Sequence, residues 1–76
     1  YGIRVNNVCP GGVYDKSISK SDKNYKKLIK NYSKRSPIGR MASPEEIADP
    51  IIFLASEQSS YITGTSLVVD GGWTSI

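Results

Sequence analysis

Histidine is absent from this 76-residue sequence, and cysteine, methionine, tryptophan and phenylalanine each occur once. Because Cys9 is the only thiol, the chain cannot form a disulfide within itself, and without histidine it lacks the usual zinc ligands. We therefore expect no metal site, and one cysteine fits a reducing compartment such as the cytoplasm. The longest apolar run, residues 50–55, is far shorter than the roughly 20 residues that cross a bilayer, so we expect no membrane segment.

The length of the chain allows one small domain at most, and its core would be marginal. The sequence begins with Tyr1 instead of methionine. We therefore interpret it as a processed or truncated portion of a longer chain.

Positive charge is concentrated in one window. Residues 16–35 hold seven lysines and one arginine against one acid, Asp22, although the net charge of the whole chain is only +3. Such a block is typical of a solvated helix face, and less often of a nucleic-acid surface.

The first 36 residues predict a strand, a loop and a helix. Residues 3–9 are partly alternating and β-branched, which predicts a short strand with a buried Cys9, ended by Pro10. Residues 14–20 have no clear period and are interpreted as a loop. Over residues 21–34, with Ser21 or Asp22 as the cap, an apolar stripe at helical spacing predicts an amphipathic helix. The stripe consists of Tyr25, Leu28, Ile29 and Tyr32.

The second half predicts a helix and a strand. Ser43 before Pro44, with Glu46 three residues after Ser43, is a typical helix start, and we expect a largely buried helix over residues 44–57. Residues 66–69 then form a short β run, closed by a turn at residues 70–72 and followed by a tail. Two strands joined through helices are typical of a larger sheet, and apolar strands suit a sheet that is covered on both faces.

Several stretches, in order and at family spacing, resemble short-chain dehydrogenases/reductases. The strand and loop motif is YGIRVN at residues 1–6 with CPGGV at 9–13. The approach to the last helix is PIGR at 37–40 with PEEIA at 44–48. The exit of that helix and the final strand are FLAS at 53–56, SSYITG at 59–64 and VDGG at 69–72.

The resemblance implies an α/β fold, with this chain as the C-terminal part of a Rossmann-type doubly wound parallel sheet that binds NAD or NADP. It divides residues 1–76 into a cofactor-side loop at 9–15, a substrate-lid region at 14–36, and a final helix and strand at 43–72. In the family, the backbone of the Pro-Gly loop contacts the nicotinamide carboxamide. By match, the implied cofactor-binding residues are Pro10, Gly11, Gly12 and Val13.

The family's glycine-rich dinucleotide loop and its catalytic Tyr-x-x-x-Lys pair do not occur in these residues, so we assign no catalytic residue here. Tyr1 heads the strand motif and is not interpreted as the proton donor. We expect the parent protein to transfer hydride between NAD(P) and an alcohol or ketone, and residues 1–76 alone to be inactive. Where many members carry Thr, this chain has Asp15, so the role of that Thr is not carried over.

The expected partners are a small-molecule substrate and further copies of the same protein. The resemblance implies a homotetramer or dimer formed through residues 44–57 and 66–76, and Trp73 suits such an interface.

Two alternatives remain open. One is that the lysine-rich helix 21–35 belongs to a non-enzymatic module that binds nucleic acid or another anion. Tyr25 and Tyr32 share the apolar stripe, however, so we do not expect nucleic acid. The other alternative is a dehydrogenase scaffold that has lost its catalytic residues and is kept for assembly.

Overall fold

The order of elements in the computed structural model, which describes residues 2–18 and 21–75, is the predicted strand, helix, helix, strand. The elements are β1 (Asn7–Pro10), α1 (Lys23–Arg35), α2 (Pro44–Ala55) and β2 (Ser66–Val69). Short 3-10 helices lie at Glu57–Ser59 and Trp73–Ser75, where the sequence predicted only a turn and a tail. The predictions made for Tyr1, for residues 19–20 and for Ile76 fall outside the described residues.

The two strands pair in parallel, as expected for an α/β sheet, with Asn7 opposite Ser66 and Pro10 opposite Val69. The predicted bounds of the first strand, residues 3–9, are wrong. The strand begins four residues later and includes Pro10, which can occupy the last ladder position because a proline there sacrifices only one terminal N–H.

Side chains replace part of the ladder in front of β1, where one backbone bond remains, from the N–H of Gly64 to the carbonyl of Val5 at 2.8 Å. The N–H of Val5 donates to Thr63 Oγ1 at 3.1 Å, and the side-chain oxygen of Asn6 accepts from the N–H of Thr65 at 3.0 Å. These bonds use side-chain oxygens where a regular strand uses carbonyls. Residues 3–6 therefore run beside residues 62–65 without forming regular strand.

Helix α1 begins at the second of the two predicted caps. The carboxylate of Asp22 accepts a hydrogen bond from the N–H of Tyr25 at 3.1 Å. The predicted apolar stripe is confirmed only in part, because Tyr25, Ile29 and Tyr32 are half-buried whereas Leu28 is 53% exposed.

Helix α2 starts as predicted, with the Glu46 carboxylate accepting from the Ser43 N–H at 3.0 Å, but it ends at Ala55 instead of near residue 57. The prediction that it is largely buried is wrong for this chain, because Ile51 and Ile52 are 50% and 64% exposed. A two-stranded sheet covers only one side of a helix that packs on it. Neither α1 nor α2, within the described ranges, has the length and apolarity of a bilayer-crossing segment.

One face of the sheet is also uncovered, and the prediction that Cys9 is buried is therefore wrong. Residues paired across parallel strands point to the same face, and Cys9 is paired with Val68. Both are exposed, whereas Val8 and Leu67 on the opposite face are half-buried. Within the described residues, no apolar side chain is fully buried.

Arg4 ties the start of the chain to the end of α2. Its guanidinium donates to the carbonyls of Leu54, Ser56 and Ile62, each at 3.1 Å, and to Ser59 Oγ at 3.0 Å. The last carbonyls of a helix have no partner within the helix, and a cation is favoured at that negative end. Arg4 thus binds α2, the 3-10 turn and the segment before β2 in one contact.

We expect Arg4→Lys to lower the free energy of unfolding of the native protein by about 2 kcal/mol. Three of the acceptors lie around one terminal nitrogen of Arg4, and the Ser56 carbonyl lies at the other. A lysine has a single nitrogen and cannot serve both places as a planar guanidinium does. Urea unfolding measures the loss, with Arg35→Lys on the exposed end of α1 as the matched control, expected within about 0.5 kcal/mol of wild type. Equal stability of the two variants would contradict the role given to Arg4.

Candidate functional site

The loop that follows β1 lies at the edge where both parallel strands end. The N–H of Gly11 donates to the carbonyl of Val69, the last residue of β2, at 3.0 Å. Asp70 and the turn after it are therefore neighbours of this loop. In open α/β sheets this carboxyl edge is where ligands bind.

Close packing against the protein itself requires both glycines of the loop. A β-carbon on Gly11 would lie 2.8 Å from the β-carbon of Asp70. A β-carbon on Gly12 would lie 2.7 Å from Cζ of Tyr32. Real β-carbons do not approach this closely, so the glycines are explained by neighbouring residues before any ligand is considered.

Val13 is paired with Ala42 in an isolated parallel bridge. The N–H of Ala42 donates to the carbonyl of Gly12 at 2.9 Å, and the N–H of Tyr14 donates to the carbonyl of Ala42 at 2.8 Å. Because all described peptides are trans, the N–H and carbonyl of Val13 itself point to the opposite side. Within residues 2–18 and 21–75, neither of these two groups has a hydrogen-bond partner.

The four predicted cofactor-binding residues therefore lie together but are not equivalent. Pro10 has no N–H, the N–H of Gly11 is bound to Val69, and the N–H of Gly12 is bound to the hydroxyl of Tyr32. Val13 is the member of the set whose N–H and carbonyl are both without a partner in the described part of the chain. Such a pair matches the donor and acceptor of a planar primary amide.

Two tyrosines of α1 hold this loop through their hydroxyls. Tyr32 Oη accepts from the N–H of Gly12 at 2.8 Å, and Tyr25 Oη accepts from the N–H of Asp15 at 2.7 Å. The sequence placed both residues in an apolar stripe and missed these bonds. The available signal was the choice of tyrosine, which carries a hydroxyl, at two half-buried positions seven residues apart.

Asp15 is engaged in its own turn. Its carboxylate accepts from the N–H of Ser17 at 2.9 Å and from the Ser17 hydroxyl at 2.7 Å. These bonds, first of all that from the hydroxyl, hold the pKa of Asp15 below its ordinary value. The carboxylate of Asp15 is thus hydrogen-bonded to Ser17, two residues later, which explains how an acid is tolerated in this loop.

A cavity of about 160 Å³ lies behind the loop, and its walls include Gly12, Tyr32 and the ion pair of Arg40 with Glu46. Pockets for drug-sized ligands usually measure about 300–1,000 Å³, so this one is too small for a dinucleotide. No group of acidic or cysteine side chains within the described ranges is arranged to hold a metal ion.

The ion pair beside this cavity is bidentate. The two terminal nitrogens of Arg40 lie 2.6 and 2.9 Å from the two carboxylate oxygens of Glu46, which also caps α2 at Ser43. The hydrogen bonds from Arg40, followed by that from Ser43, lower the pKa of Glu46 to about 2. The pair connects the segment before α2 to its first turn.

Comparison with known proteins identifies relatives along almost the whole chain. The family model described as Enoyl-(Acyl carrier protein) reductase matches residues 1–74. A short-chain dehydrogenase of Aspergillus ruber is 47% identical over 74 residues, which are 97% of this chain and 27% of the relative. An L-rhamnose 1-dehydrogenase (NAD(P)(+)) of a Sphingomonas species is 43% identical over 72 residues, 95% of this chain and 28% of the relative.

Solved structures agree with these relatives. The ligand-free aldohexose dehydrogenase of Thermoplasma acidophilum superposes with a TM-score of 0.84 at 32% identity, over 96% of this chain and 32% of that one. A 4-hydroxyisoleucine dehydrogenase complexed with NADH superposes with a TM-score of 0.76 at 30% identity, over 97% of this chain and 28% of that one. The fold is thus Rossmann-type, and the chain spans about a quarter to a third of the length of these relatives.

Glu46→Gln is expected to make the stability of the protein less sensitive to acid. The folded-state pKa of about 2 lies below the ordinary value of 4.5, so the ion pair's contribution is complete above pH 4.5 and is lost as the pH falls towards 2. Melting temperatures from neutral pH down to pH about 2 measure this dependence. The matched control is Glu57→Gln, at an exposed carboxylate for which the described residues supply no ion pair, and an equal change in both variants would contradict the assignment.

Proposed function

The chain belongs to the short-chain dehydrogenase/reductase family, and we propose that it is the C-terminal part of an enzyme that transfers hydride between NAD or NADP and an alcohol or ketone. One observation carries the proposal. At the carboxyl edge of the sheet, the N–H and carbonyl of Val13 face away from Ala42 without partners in the described residues. The class of reaction is inferred from family membership, and the position of the cofactor-binding site is inferred from this loop.

The residues present fit the nicotinamide end of the cofactor. A carboxamide has one carbonyl and one NH₂ group, and Val13 has one N–H and one carbonyl to match them. When bound, the cofactor supplies the hydride chemistry, whereas this loop binds and orients one of its groups.

Helix α1 covers the loop and is proposed as part of the substrate lid. The hydroxyls of Tyr25 and Tyr32 attach it directly to the loop backbone. A lid that is fastened to the cofactor loop can exclude water from the site and hold a small substrate. Lysines occupy the exposed sides of the helix, where they are solvated.

Proton transfer is assigned to residues outside this chain. No Tyr-x-x-x-Lys pair occurs within residues 1–76, and we propose that it lies upstream with the glycine-rich dinucleotide loop. The choice between NAD and NADP belongs to the same upstream part. Three of the four relatives are named for sugars or a hydroxy amino acid, which supports a small alcohol or ketone without selecting one.

The uncovered apolar surfaces support the proposal of a homo-oligomer, a tetramer or a dimer, whereas the proposed cytoplasmic location rests on the single cysteine of the sequence. The exposed side chains Ile51, Ile52 and Phe53 lie on α2, within the predicted interface segment 44–57. Trp73, in the second predicted segment 66–76, is half-buried against Tyr32 within its own chain. The upstream part of the proposed longer chain competes for the same surfaces, so the oligomer is tested by comparing the native mass with the mass of one chain.

The nucleic-acid alternative is not favoured by any contact of the lysine-rich helix. Its two tyrosines are occupied within the protein, Tyr25 at the loop and beside Tyr14, and Tyr32 at the loop and against Trp73. Neither ring is presented for stacking on a base. The scaffold alternative is decided by whether Tyr-x-x-x-Lys is present upstream.

The test begins with the intact mass of the native protein and the sequence that precedes Tyr1. We expect a chain several times heavier than 8.3 kDa, with a glycine-rich loop and Tyr-x-x-x-Lys. Its activity is then measured as formation of reduced nicotinamide with a panel of alcohols. A native chain of 8.3 kDa would contradict the enzyme proposal, and a long chain without Tyr-x-x-x-Lys would support the scaffold instead.

Val13→Pro is expected to weaken NAD(P)H binding by the intact protein about threefold to tenfold, because proline removes the N–H that is proposed to bind the carboxamide. Val13→Ala shortens the side chain and keeps that N–H, so it is the matched control and is expected to bind more tightly than Val13→Pro. Titration of cofactor fluorescence measures both affinities. Equal affinities of the two variants would contradict the contact.

A further inference from the structure

Tyr32 of α1 contacts both the loop and the turn after β2. Its Oη accepts a hydrogen bond from the N–H of Gly12 at 2.8 Å. Its ring lies so close to Gly12 that any β-carbon there would be 2.7 Å from Cζ. The same ring stacks on the indole of Trp73, with 4.6 Å between ring centroids and 3° between the ring planes. Tyr32 therefore lies between the loop and the turn.

The turn that carries Trp73 is held by Asp70. The N–H of Trp73 donates to the carbonyl of Asp70 at 3.2 Å, and the carboxylate of Asp70 accepts from the N–H groups of Gly72 and Thr74. The other glycine of the loop, Gly11, packs on the same Asp70. The loop therefore contacts the turn in two ways, directly through Gly11 and Asp70, and indirectly through Tyr32 and Trp73.

Gly12 is the point in the loop that most needs such support. Glycine has a wide range of backbone angles, so the chain alone does not set its conformation. The peptide plane after Gly12 is fixed by the hydrogen bond from Ala42, at 2.9 Å. The plane before it is fixed by the hydroxyl of Tyr32. Together the two bonds hold the peptide planes on both sides of Gly12, and the second of these planes carries the Val13 N–H.

We propose that Tyr32 is a positioning residue, whose hydroxyl and stack on Trp73 hold Gly12 so that Val13 is aimed at the nicotinamide carboxamide. This inference rests on the proposed function and names the side chain that orients the same site. Tyr32 acts through Gly12 and is not itself a catalytic residue. The role requires the hydroxyl for the bond to Gly12 and the ring for the stack on Trp73.

The experiment compares the affinities of the intact protein for NADH and for ADP-ribose, which lacks only the nicotinamide. Tyr32→Phe keeps the ring and removes the hydroxyl, so we expect NADH binding to weaken about threefold to tenfold while ADP-ribose binding is unchanged. Tyr61→Phe removes the hydroxyl of a fully exposed ring and is the matched control, with both affinities unchanged. For an NADP-dependent protein the pair is NADPH and 2′-phospho-ADP-ribose.

Two results with Tyr32→Phe would overturn the proposal: unchanged NADH binding, or equal weakening of both ligands, which would indicate a general structural role. If this variant does not fold, Trp73→Phe is used instead, because it reduces the stack. It is expected to lower the affinity for NADH relative to that for ADP-ribose, and an unchanged ratio of the two affinities overturns the proposal. A wild-type protein that binds no nicotinamide cofactor contradicts the proposed function itself. Loss of the role of Tyr32 is therefore distinguishable from loss of the site.

Discussion

The hydrogen bonds of Arg4 are the constraint from which the rest of the structure follows. One guanidinium joins the end of α2, the 3-10 turn and the approach to β2, at the helix end whose last carbonyls have no partner within the helix. That contact holds the segment before β1 beside the segment before β2, and the two strands that follow pair in parallel and end at the same edge. The loop after β1 and the turn after β2 meet because the strands do.

At that edge, the protein's own packing explains features that a motif assigns to a ligand. Gly11 and Gly12 are required by Asp70 and Tyr32, which leave no room for a β-carbon. The free backbone groups belong to the next residue, Val13, because its neighbours on both sides are bound to Ala42. The glycines of such a motif and the residue that binds can therefore be different. Here the glycines allow close packing of the backbone, and the N–H and carbonyl of the next residue are available for binding.

The sequence predicted the element order and the start of α2, because these depend on local signals such as caps and periodicity. The parallel sheet was implied by the family resemblance, and of the two candidate caps of α1, Ser21 and Asp22, the structure selects Asp22. The prediction from sequence failed on burial. Helix α2 and Cys9 were expected to be buried because their residues are apolar, yet in this chain they are exposed. The apolar character of a residue shows that its burial would be favourable. Whether this chain itself supplies the residues that bury it depends on the tertiary structure.

The sequence by itself determined the family resemblance, the loop that carries the candidate site and the amphipathic nature of α1, since all three are written in the order and spacing of residues. Only the tertiary structure decided which loop residue is free to bind and which side chains hold it there. Val13 differs from Gly11 and Gly12 through partners that are distant along the chain, and the hydroxyl of Tyr32 reaches Gly12 across twenty residues. Hydrogen-bond partners are chosen by proximity in space, which no local pattern records.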